Sequence, residues 1–266
     1  MPKVSVIMGV YNITNKPVLE KAIDSILNQT FKDFEFIICD DGSIDETLEI
    51  VKEICNNDER VVFLKNEKNM GLAYVLNKCL KHSKGEYIAR MDSDDESTLD
   101  RLEKQVRFLD THSDYGVVSS NANLFDDNSV WGELNYSEEI KKEDFLKNNP
   151  VVHGAVMVRK SVYDVVDGYR DIPMTYRVED YDLFMRIFSK GIRIYTIQEK
   201  LFNYREDENA QKRRKYKYRI NEARVRAYGF KILGLYPKGI IYIIKPLIVG
   251  LLPLSLKRKI IINSKK

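Results

Sequence analysis

Cysteine and histidine are both scarce in this chain of 266 residues, with three of each. The cysteines, Cys39, Cys55 and Cys79, are odd in number and lack the C-x-x-C spacing of a zinc or redox site. A disulfide scaffold and a zinc site are therefore disfavoured, and a reducing compartment is favoured. The histidines are scattered and no Ser/His/Asp elbow is visible, which leaves carboxylates as the candidate catalytic groups.

Glycine-rich phosphate loops are also missing. No G-x-G-x-x-G follows the first predicted strand and no G-x-x-x-x-G-K-[ST] occurs anywhere, so dinucleotide-binding and P-loop functions are excluded. The apolar N-terminus reaches polar residues by Asn12 and is too short for the hydrophobic region of a signal peptide. We therefore expect it to form the first strand of a cytoplasmic fold.

Charge is distributed very unevenly, although the net charge is only +3. Residues 211–266 carry 16 Lys or Arg and one acid, Glu222, for a charge of +15, whereas residues 1–210 carry 27 basic and 39 acidic residues, for −12. Such asymmetry predicts an anionic surface as partner, either a membrane or a nucleic acid. No RNA- or DNA-binding motif accompanies the charge, so we expect no nucleic acid partner.

The apolar stretch at residues 239–256 allows two interpretations of this basic segment. It contains a lysine and two prolines, Pro246 and Pro253, and it falls short of the about 20 uncharged apolar residues that a spanning helix needs. We predict a pair of helices in the membrane interface, with the basic run at residues 257–259 reaching the lipid headgroups. The alternative is a C-terminal helix that docks on the core.

Strand and helix patterns alternate four times in the first half of the chain. The predicted strands cover residues 4–10, 34–39, 61–64 and 87–91. This alternation predicts right-handed βαβ crossovers and a parallel sheet, in which ligands bind beyond the carboxyl ends of the strands. Tyr11, Asp41 and Asp92 follow three of these strands, so we expect them to meet in one crevice. Ser43 is placed to cap the second helix.

The second half is less regular. Apolar residues at helical spacing predict a helix that begins near Thr98. Further strands are predicted at residues 115–119, 155–158 and 192–197. Residues 121–150 are predicted to be a polar loop. Glu179 and Asp180 open an amphipathic helix, where acids either belong to a functional site or simply stabilise the helix dipole.

Three carboxylates crowd the stretch Met91-Asp92-Ser93-Asp94-Asp95, directly after the apolar run at residues 87–89. Like charges packed this closely repel, and burial raises the cost further. A bound cation removes that cost, and Mg²⁺ typically uses one or two carboxylates together with substrate phosphates. The functional interpretation is an Asp-x-Asp site that holds a metal on a diphosphate. The alternative is a solvated acidic turn that caps the helix near Thr98.

Six short motifs occur in the order seen in inverting family 2 glycosyltransferases with a GT-A fold, and residues 3–205 resemble that family. The similarity is greatest to bacterial enzymes that build capsule, O-antigen or other surface polysaccharide. The motifs are Val4-Ser5-Val6-Ile7-Met8-Gly9-Val10-Tyr11-Asn12, Ile26-Leu27-Asn28-Gln29-Thr30, Asp40-Asp41-Gly42-Ser43, Asn69-Met70-Gly71, Asp92-Ser93-Asp94-Asp95 and Glu179-Asp180-Tyr181-Asp182.

The resemblance implies how a nucleotide-sugar donor would be held. Tyr11 would stack on the base, usually uracil, and Asp41 would accept a hydrogen bond from the base N3–H. Asp92 would contact the ribose or the sugar, and Arg205 could meet phosphate. The residues assigned to nucleotide-sugar binding are Gly9, Val10, Tyr11, Asp41, Asp92, Ser93 and Arg205.

The resemblance also implies the catalytic groups. Asp94 would ligate Mn²⁺ or Mg²⁺ on the diphosphate, and Asp180 would be the general base. Glu179 and His153 could touch the acceptor, although His153 also fits a histidine that is hydrogen-bonded within the fold. Many relatives have a histidine near the position of Asp207, so metal coordination at that position is an open question.

We therefore predict an α/β chain with a GT-A domain at residues 1–210, whose nucleotide-binding half is 1–97 and whose acceptor-binding half is 98–210. Residues 211–266 would be a basic helical segment on the inner face of the cell membrane. The resemblance implies metal-dependent, inverting transfer from a nucleotide-sugar, with a UDP-sugar as the expected donor, to a saccharide or polyprenyl-diphosphate-linked acceptor. The alternatives are a polyprenyl-phosphate sugar synthase and a non-catalytic nucleotide-sugar-binding protein.

Overall fold

The computed structural model describes residues 1–13, 15–206 and 215–251, and it confirms the predicted α/β class. Two short 3₁₀ turns, at Lys142–Leu146 and His153–Ala155, add to the strands and helices. The strands are β1 (Val4–Val10), β2 (Phe34–Asp40), β3 (Val61–Lys65), β4 (Tyr87–Arg90), β5 (Glu96–Ser97), β6 (Tyr115–Phe125), β7 (Val130–Leu134), β8 (Met157–Arg159) and β9 (Arg193–Arg205). The helices are α1 (Lys16–Leu27), α2 (Thr47–Cys55), α3 (Leu72–His82), α4 (Arg101–Thr111), α5 (Lys160–Val166), α6 (Glu179–Ser189), α7 (Tyr216–Ile232) and α8 (Ile240–Leu251).

Within the described residues, nine strands form one sheet in the order β3-β2-β1-β4-β8-β6-β9-β5, and β7 pairs with β6. The first four strands along the chain are parallel to one another, as the sequence predicts. The second half is mixed, because β8 runs antiparallel to β4 and β6 while β9 runs parallel to β6. The carboxyl ends of β1, β2 and β4 therefore lie at one edge of the sheet.

Two apolar layers cover the faces of the sheet. Along β1, Ile7 belongs to one layer and Val6 and Met8 to the other, because successive strand residues point to opposite faces. Helices α3, α6 and α7 contribute to the first layer, and α1, α2 and α4 to the second. Burial on both faces explains why these strands are nearly continuous in apolar residues.

The prediction of a loop at residues 121–150 is wrong over much of its length. Strand β6 continues to Phe125, β7 contains Trp131, and β9 continues to Arg205 instead of ending at Ile197. The polar composition gave no strand pattern for the end of β6, because its polar side chains form hydrogen bonds inside the sheet. Asn121, for example, donates from Nδ2 to the Gln198 carbonyl (3.2 Å). It also accepts from the Tyr136 backbone N–H (2.9 Å).

The prediction that Ser43 caps α2 is also wrong. Glu46 precedes the first residue of α2, and its side chain makes no capping hydrogen bond. Ser43 Oγ instead accepts from the backbone N–H of Asn12, at 2.9 Å, and so joins the loop after β1 to the loop after β2. Helix α4 begins at Arg101 rather than near Thr98.

The described part of the apolar stretch at residues 239–256, for which a pair of helices is predicted, is a single helix, α8. Helix α8 contains Pro246 in its interior. It runs antiparallel to α7, because Gly239 lies against Phe230 at one end and Gly250 lies against Tyr216 at the other. No helix among the described residues is both long enough and apolar enough to cross a bilayer. Pro253 and the basic run at 257–259 lie outside the described residues.

Candidate active site

A cavity of about 1330 Å³ opens at the edge where β1, β2 and β4 end. It is the crevice in which the sequence predicts that Tyr11, Asp41 and Asp92 meet. The residues of the predicted site that line it are Gly9, Val10, Tyr11, Asp41, Asp92, Ser93, Asp94, Glu179 and Arg205. Asp180 and His153 are not among its described lining residues.

Asp41 is fixed at one end of the cavity by three hydrogen bonds. Its Oδ1 accepts from Asn66 Nδ2 (2.8 Å) and from the Met70 backbone N–H (2.9 Å). Its Oδ2 accepts from the Gly71 backbone N–H (2.8 Å), at the start of α3. Burial and these donors hold the carboxylate in one orientation, and they give the Asn69-Met70-Gly71 motif a structural role that its sequence alone does not reveal.

Tyr11 and Gly9 shape the wall beside Asp41. The Tyr11 side chain is 43% exposed, which leaves an aromatic face available at the cavity. A Cβ on Gly9 would come within 2.8 Å of Val75 Cγ1, so glycine allows α3 to pack closely against β1. This close packing brings the first turn of α3 to the base of the cavity.

Two buried arginines support the acidic stretch after β4, and the sequence analysis missed both. Arg90 donates to Asp92 Oδ1 at 2.6 Å and also to the Met91 carbonyl. Arg101 donates to the carbonyls of Arg90 (3.0 Å) and Gly154 (2.9 Å), and burial lowers its pKa to about 9. The arginine inside the apolar run at residues 87–91 was the available sequence signal, since a buried charge requires partners.

Asp95 is a buried residue of the cavity wall. Its Oδ1 accepts from the Arg205 backbone N–H at 2.7 Å. Its buried Oδ2 has no hydrogen-bond partner within the described part of the chain. Burial, followed by the charges of Asp92 and Asp94, raises the pKa of the Asp95 carboxyl well above its usual range.

Arg205 joins this acidic stretch to the turn between β6 and β7. Its Nε donates to the Asp94 carbonyl at 3.1 Å, and its Nη1 donates to Asp127 Oδ1 at 2.6 Å. The guanidinium also lies over the Phe125 ring, 4.5 Å from its centroid. Arg205 therefore reaches the cavity wall, where it is held beside Asp94. Asp207, two residues further on, lies outside the described residues.

The carboxylates of this wall supply some, but not all, of the oxygen ligands that a hard divalent cation needs. Among the described residues, no group of three or more His, Cys, Asp or Glu side chains is arranged to hold a metal ion by itself. Mg²⁺ typically takes only one or two protein carboxylates and completes its coordination with substrate phosphates and water. Asp92 and Asp94 line the cavity as oxygen donors of that kind, and the unpartnered oxygen of Asp95 lies behind them.

Glu179 and Asp180 begin α6 and have different environments. Glu179 is 8% exposed and lines the cavity, and burial, followed by the charge of Asp180, raises its pKa to about 7. Asp180 is half-buried, and its Oδ2 accepts from Asn149 Nδ2 at 2.9 Å. Neither side chain caps the helix, because Val178 occupies the capping position and makes no side-chain hydrogen bond. Both carboxylates stay close to the positive end of the helix dipole.

His153 lies near Asp180 but away from the cavity lining. Its Nε2 is 2.8 Å from the Tyr169 hydroxyl. Desolvation, followed by the charge of Arg90, lowers the pKa of His153 to about 4, so the ring is neutral at pH 7. This placement fits the alternative of a histidine that is hydrogen-bonded within the fold.

Helix α7 supplies a wall of the cavity that the sequence analysis assigned to a separate membrane segment. Its contributing residues are Tyr218, Arg219 and Glu222, and Lys215, directly before its first residue, continues the same face. Arg226, one turn further on, is 3% exposed and donates to the carbonyls of Leu146 (2.7 Å) and Lys147 (3.0 Å). The interleaved basic and tyrosine residues gave no signal that this helix packs against the site.

Comparison with known proteins identifies the family. Residues 5–166 match the family model described as Glycosyl transferase family 2. The putative glycosyltransferase EpsE of Bacillus subtilis (strain 168) is 42% identical over 97% of this chain and 92% of its own length. WfaP of Escherichia coli, named UDP-Glc:alpha-D-GlcNAc-diphosphoundecaprenol beta-1,3-glucosyltransferase, is 34% identical over 73% of both chains. The chain belongs to glycosyltransferase family 2 and is a glycosyltransferase.

Solved structures confirm the GT-A fold. S. aureus TarS 1-349 in complex with UDP-GlcNAc superposes with a TM-score of 0.72 at 19% identity, covering 98% of this chain and 79% of that one. Mannosyltransferase PcManGT from Pyrobaculum calidifontis in complex with GDP-Man and Mn²⁺ superposes with a TM-score of 0.65 at 18% identity, covering 99% and 79%. At these identities the likeness concerns the fold alone.

Proposed function

We propose that this glycosyltransferase transfers a sugar from a UDP-sugar, with inversion, to a hydroxyl of a saccharide or lipid-linked acceptor in bacterial surface polysaccharide synthesis. The observation that carries the proposal is the convergence of Tyr11, Asp41, Asp94 and Glu179 on one cavity. Asp41 supports uridine as the nucleotide, because a fixed carboxylate can accept from the N3–H of uracil and cytosine has no such donor. The UDP-linked donors named for WfaP and for the TarS complex agree with this choice.

Asp94, with Asp92 beside it, would hold Mn²⁺ or Mg²⁺. When bound, the metal supplies charge stabilisation to the departing diphosphate. Asp180 acts as general base and takes the proton of the acceptor hydroxyl as its oxygen attacks the anomeric carbon. The new glycosidic bond forms while the bond from that carbon to the UDP oxygen breaks, so the configuration inverts in one step. Asn149 orients Asp180, and Glu179 contacts the acceptor from the cavity wall.

Two alternatives receive less support. A polyprenyl-phosphate sugar synthase uses a phosphate as acceptor, which needs no strong base, whereas this site keeps two carboxylates at the start of α6. A non-catalytic binding protein needs neither Asp94 nor Asp180, and both are retained. The carboxylates therefore favour a hydroxyl acceptor and a catalytic function.

The proposal is tested by screening UDP-, GDP- and dTDP-sugars for release of the nucleotide, with added Mn²⁺ or with EDTA. We expect slow hydrolysis of one UDP-sugar that requires the metal and is lost in Asp94→Ala. Release that persists in EDTA, or a preference for a GDP-sugar, would contradict the proposed donor chemistry.

We also propose that the protein binds the inner face of the cell membrane through its C-terminal helices. One stripe of α8 is apolar and exposed, with Ile241 77%, Ile248 58% and Leu251 74% accessible, and it also includes Ile244. The opposite face packs against the core through Tyr242 and Ile243. The basic charge of residues 211–266 complements anionic lipid headgroups.

We expect Ile241→Ser combined with Ile248→Ser to weaken binding to vesicles of anionic phospholipid at least about tenfold, since burying one isoleucine side chain contributes about 1.5–3 kcal/mol. Vesicle co-sedimentation measures the change. Ile44→Ser is the matched control, because Ile44 is 91% exposed on the other half of the molecule. Equal binding by the double variant and the control would exclude α8 as the membrane contact.

A further inference from the structure

Helix α7 is fixed firmly to the catalytic half of the chain. Arg226 bonds the carbonyls at residues 146–147 and lies over the Tyr181 ring of α6, 5.1 Å from its centroid. Asn221 Nδ2 donates to the carbonyls of Pro173 (3.0 Å) and Tyr176 (3.2 Å). Helix α7 therefore also positions the loop between α5 and α6, which contributes Arg177 to the cavity.

The strand end of the cavity is lined by carboxylates, whereas the wall formed by α6, α7 and the loop before α6 carries cations beside the acids Asp171, Glu179 and Glu222. Asp92, Asp94 and Asp95 line the end formed by the strands. Four cationic side chains line the described cavity, and one of them, Arg205, is paired with Asp127. The other three belong to α7 or to the loop that it holds, and they are Arg177, Lys215 and Arg219.

Glu222 compensates the positive charge of Arg219 only in part. Its Nη1 lies 2.8 Å from Glu222 Oε2, while Glu222 Oε1 lies 3.0 Å from Arg226 Nη2. One carboxylate is thus shared between two guanidinium groups. The Arg219 side chain is 22% exposed, so it remains accessible from the cavity.

Arg219 also marks the point where the cavity meets the apolar stripe of α8. A Cβ on Gly250 would lie 3.1 Å from Arg219 Cγ and 2.8 Å from Tyr216 Cδ2. The C-terminal end of α8, with exposed Ile248 and Leu251, is therefore next to the first turn of α7. Two cationic side chains of the cavity lining, Lys215 and Arg219, therefore lie next to an exposed apolar surface.

We infer that Lys215 and Arg219 bind the diphosphate of a lipid-linked acceptor, whose hydrocarbon chain follows the apolar stripe of α8. This inference rests on the proposed function. In such an acceptor, two phosphates lie between a sugar and a hydrocarbon chain. In the protein, Lys215 and Arg219 likewise lie between the cavity and the apolar surface of α8. Its negative charges meet Lys215 and Arg219, whereas the donor diphosphate occupies the acidic end with its metal. Charge-assisted contacts to phosphate by arginine and lysine are the appropriate chemistry.

The test measures binding of farnesyl diphosphate by calorimetry to the full chain, with the donor site saturated by UDP and Mn²⁺. We expect farnesyl diphosphate to bind at least about tenfold more tightly than farnesol or inorganic diphosphate, because both parts of the ligand contribute. Arg219→Gln and Lys215→Gln should each weaken this binding about tenfold, which is the usual size of one lost charge-assisted hydrogen bond. The affinity for UDP should stay within about twofold of wild type.

Arg224→Gln and Lys217→Gln are the matched controls, because both residues are exposed on α7 and neither lines the cavity. Both controls should bind farnesyl diphosphate as wild type does. The assignment is overturned if Lys215→Gln and Arg219→Gln behave like the controls, or if they weaken UDP binding equally. Absence of UDP binding by the wild-type protein would instead overturn the proposed function on which the assignment rests.

Discussion

Replacing Asp180 by Asn is expected to lower kcat for sugar transfer by roughly 100- to 10,000-fold, the usual contribution of a general base. The affinity for UDP should stay within about twofold, because Asp180 acts on the acceptor hydroxyl and is not among the described residues that line the donor cavity. The fold should persist, since the Asn side-chain oxygen can still accept from Asn149 Nδ2. Steady-state kinetics together with UDP calorimetry would measure both effects.

Asp100→Asn is the matched control, because Asp100 also lies at the start of a helix but is not part of the described cavity lining. It should leave kcat unchanged. The variant Glu179→Gln tests which of the two neighbouring carboxylates, Glu179 or Asp180, is the general base. If Glu179→Gln abolishes transfer while Asp180→Asn remains active, the base is Glu179 and the assignment made here is wrong.

Glu179 should also give the reaction a pH dependence. Its pKa of about 7 means that it becomes charged as the pH rises through neutrality. The added negative charge favours transfer of a proton to nearby Asp180, so we expect kcat to rise through pH 7 in wild type and to lose this step in Glu179→Gln. Because the pKa is raised on folding, the stability that protonated Glu179 contributes is complete below about pH 4.5 and is lost as the pH rises through about 7.

Replacing Arg226 by Met is expected to lower the free energy of unfolding by about 3 kcal/mol, because the carbonyls of Leu146 and Lys147 lose their arginine donor and Glu222 keeps only Arg219 as a cationic partner. For a chain of this size, that loss corresponds to a decrease in Tm of roughly 6–12 °C. Transfer activity should fall as well, since Arg226 holds α7 at the wall of the cavity. Calorimetric melting and kinetics at a temperature below both transitions would measure the two effects.

Arg224→Met provides the comparison for this variant. Arg224 is exposed on the same helix, so its replacement should change the free energy of unfolding by no more than about 0.5 kcal/mol. Equal melting temperatures for the two variants would show that α7 contributes little to the fold. Such a result would restore the interpretation of residues 211–266 as a segment independent of the catalytic domain.

The first half of the fold could be predicted from the sequence because its central strands are buried on both faces. Strands β1 and β2 have apolar neighbours on both faces, so their composition is nearly uniform and the polar residues mark their ends. Tyr11, Asp41 and Asp92 follow those ends, and the parallel sheet then places them at one edge. Their convergence could be inferred without knowing any side-chain contact.

The second half could not be predicted equally well, because its polar side chains are satisfied by distant partners. Asn121 is buried in β6 through bonds to residues that are 15 and 77 positions away. Arg101 and Arg226 are buried through carbonyls contributed by other elements. Such long-range contacts leave no periodic pattern in the sequence. The role of α7 at the cavity was missed for this reason.

The most direct test of the central claim is a crystal structure with UDP and Mn²⁺, with anomalous scattering used to locate the metal. We predict one manganese peak between the Asp94 carboxylate and the diphosphate, with uracil stacked on Tyr11 and its N3 within hydrogen-bond distance of Asp41. A nucleotide bound elsewhere, or manganese bound away from Asp94, would contradict the account.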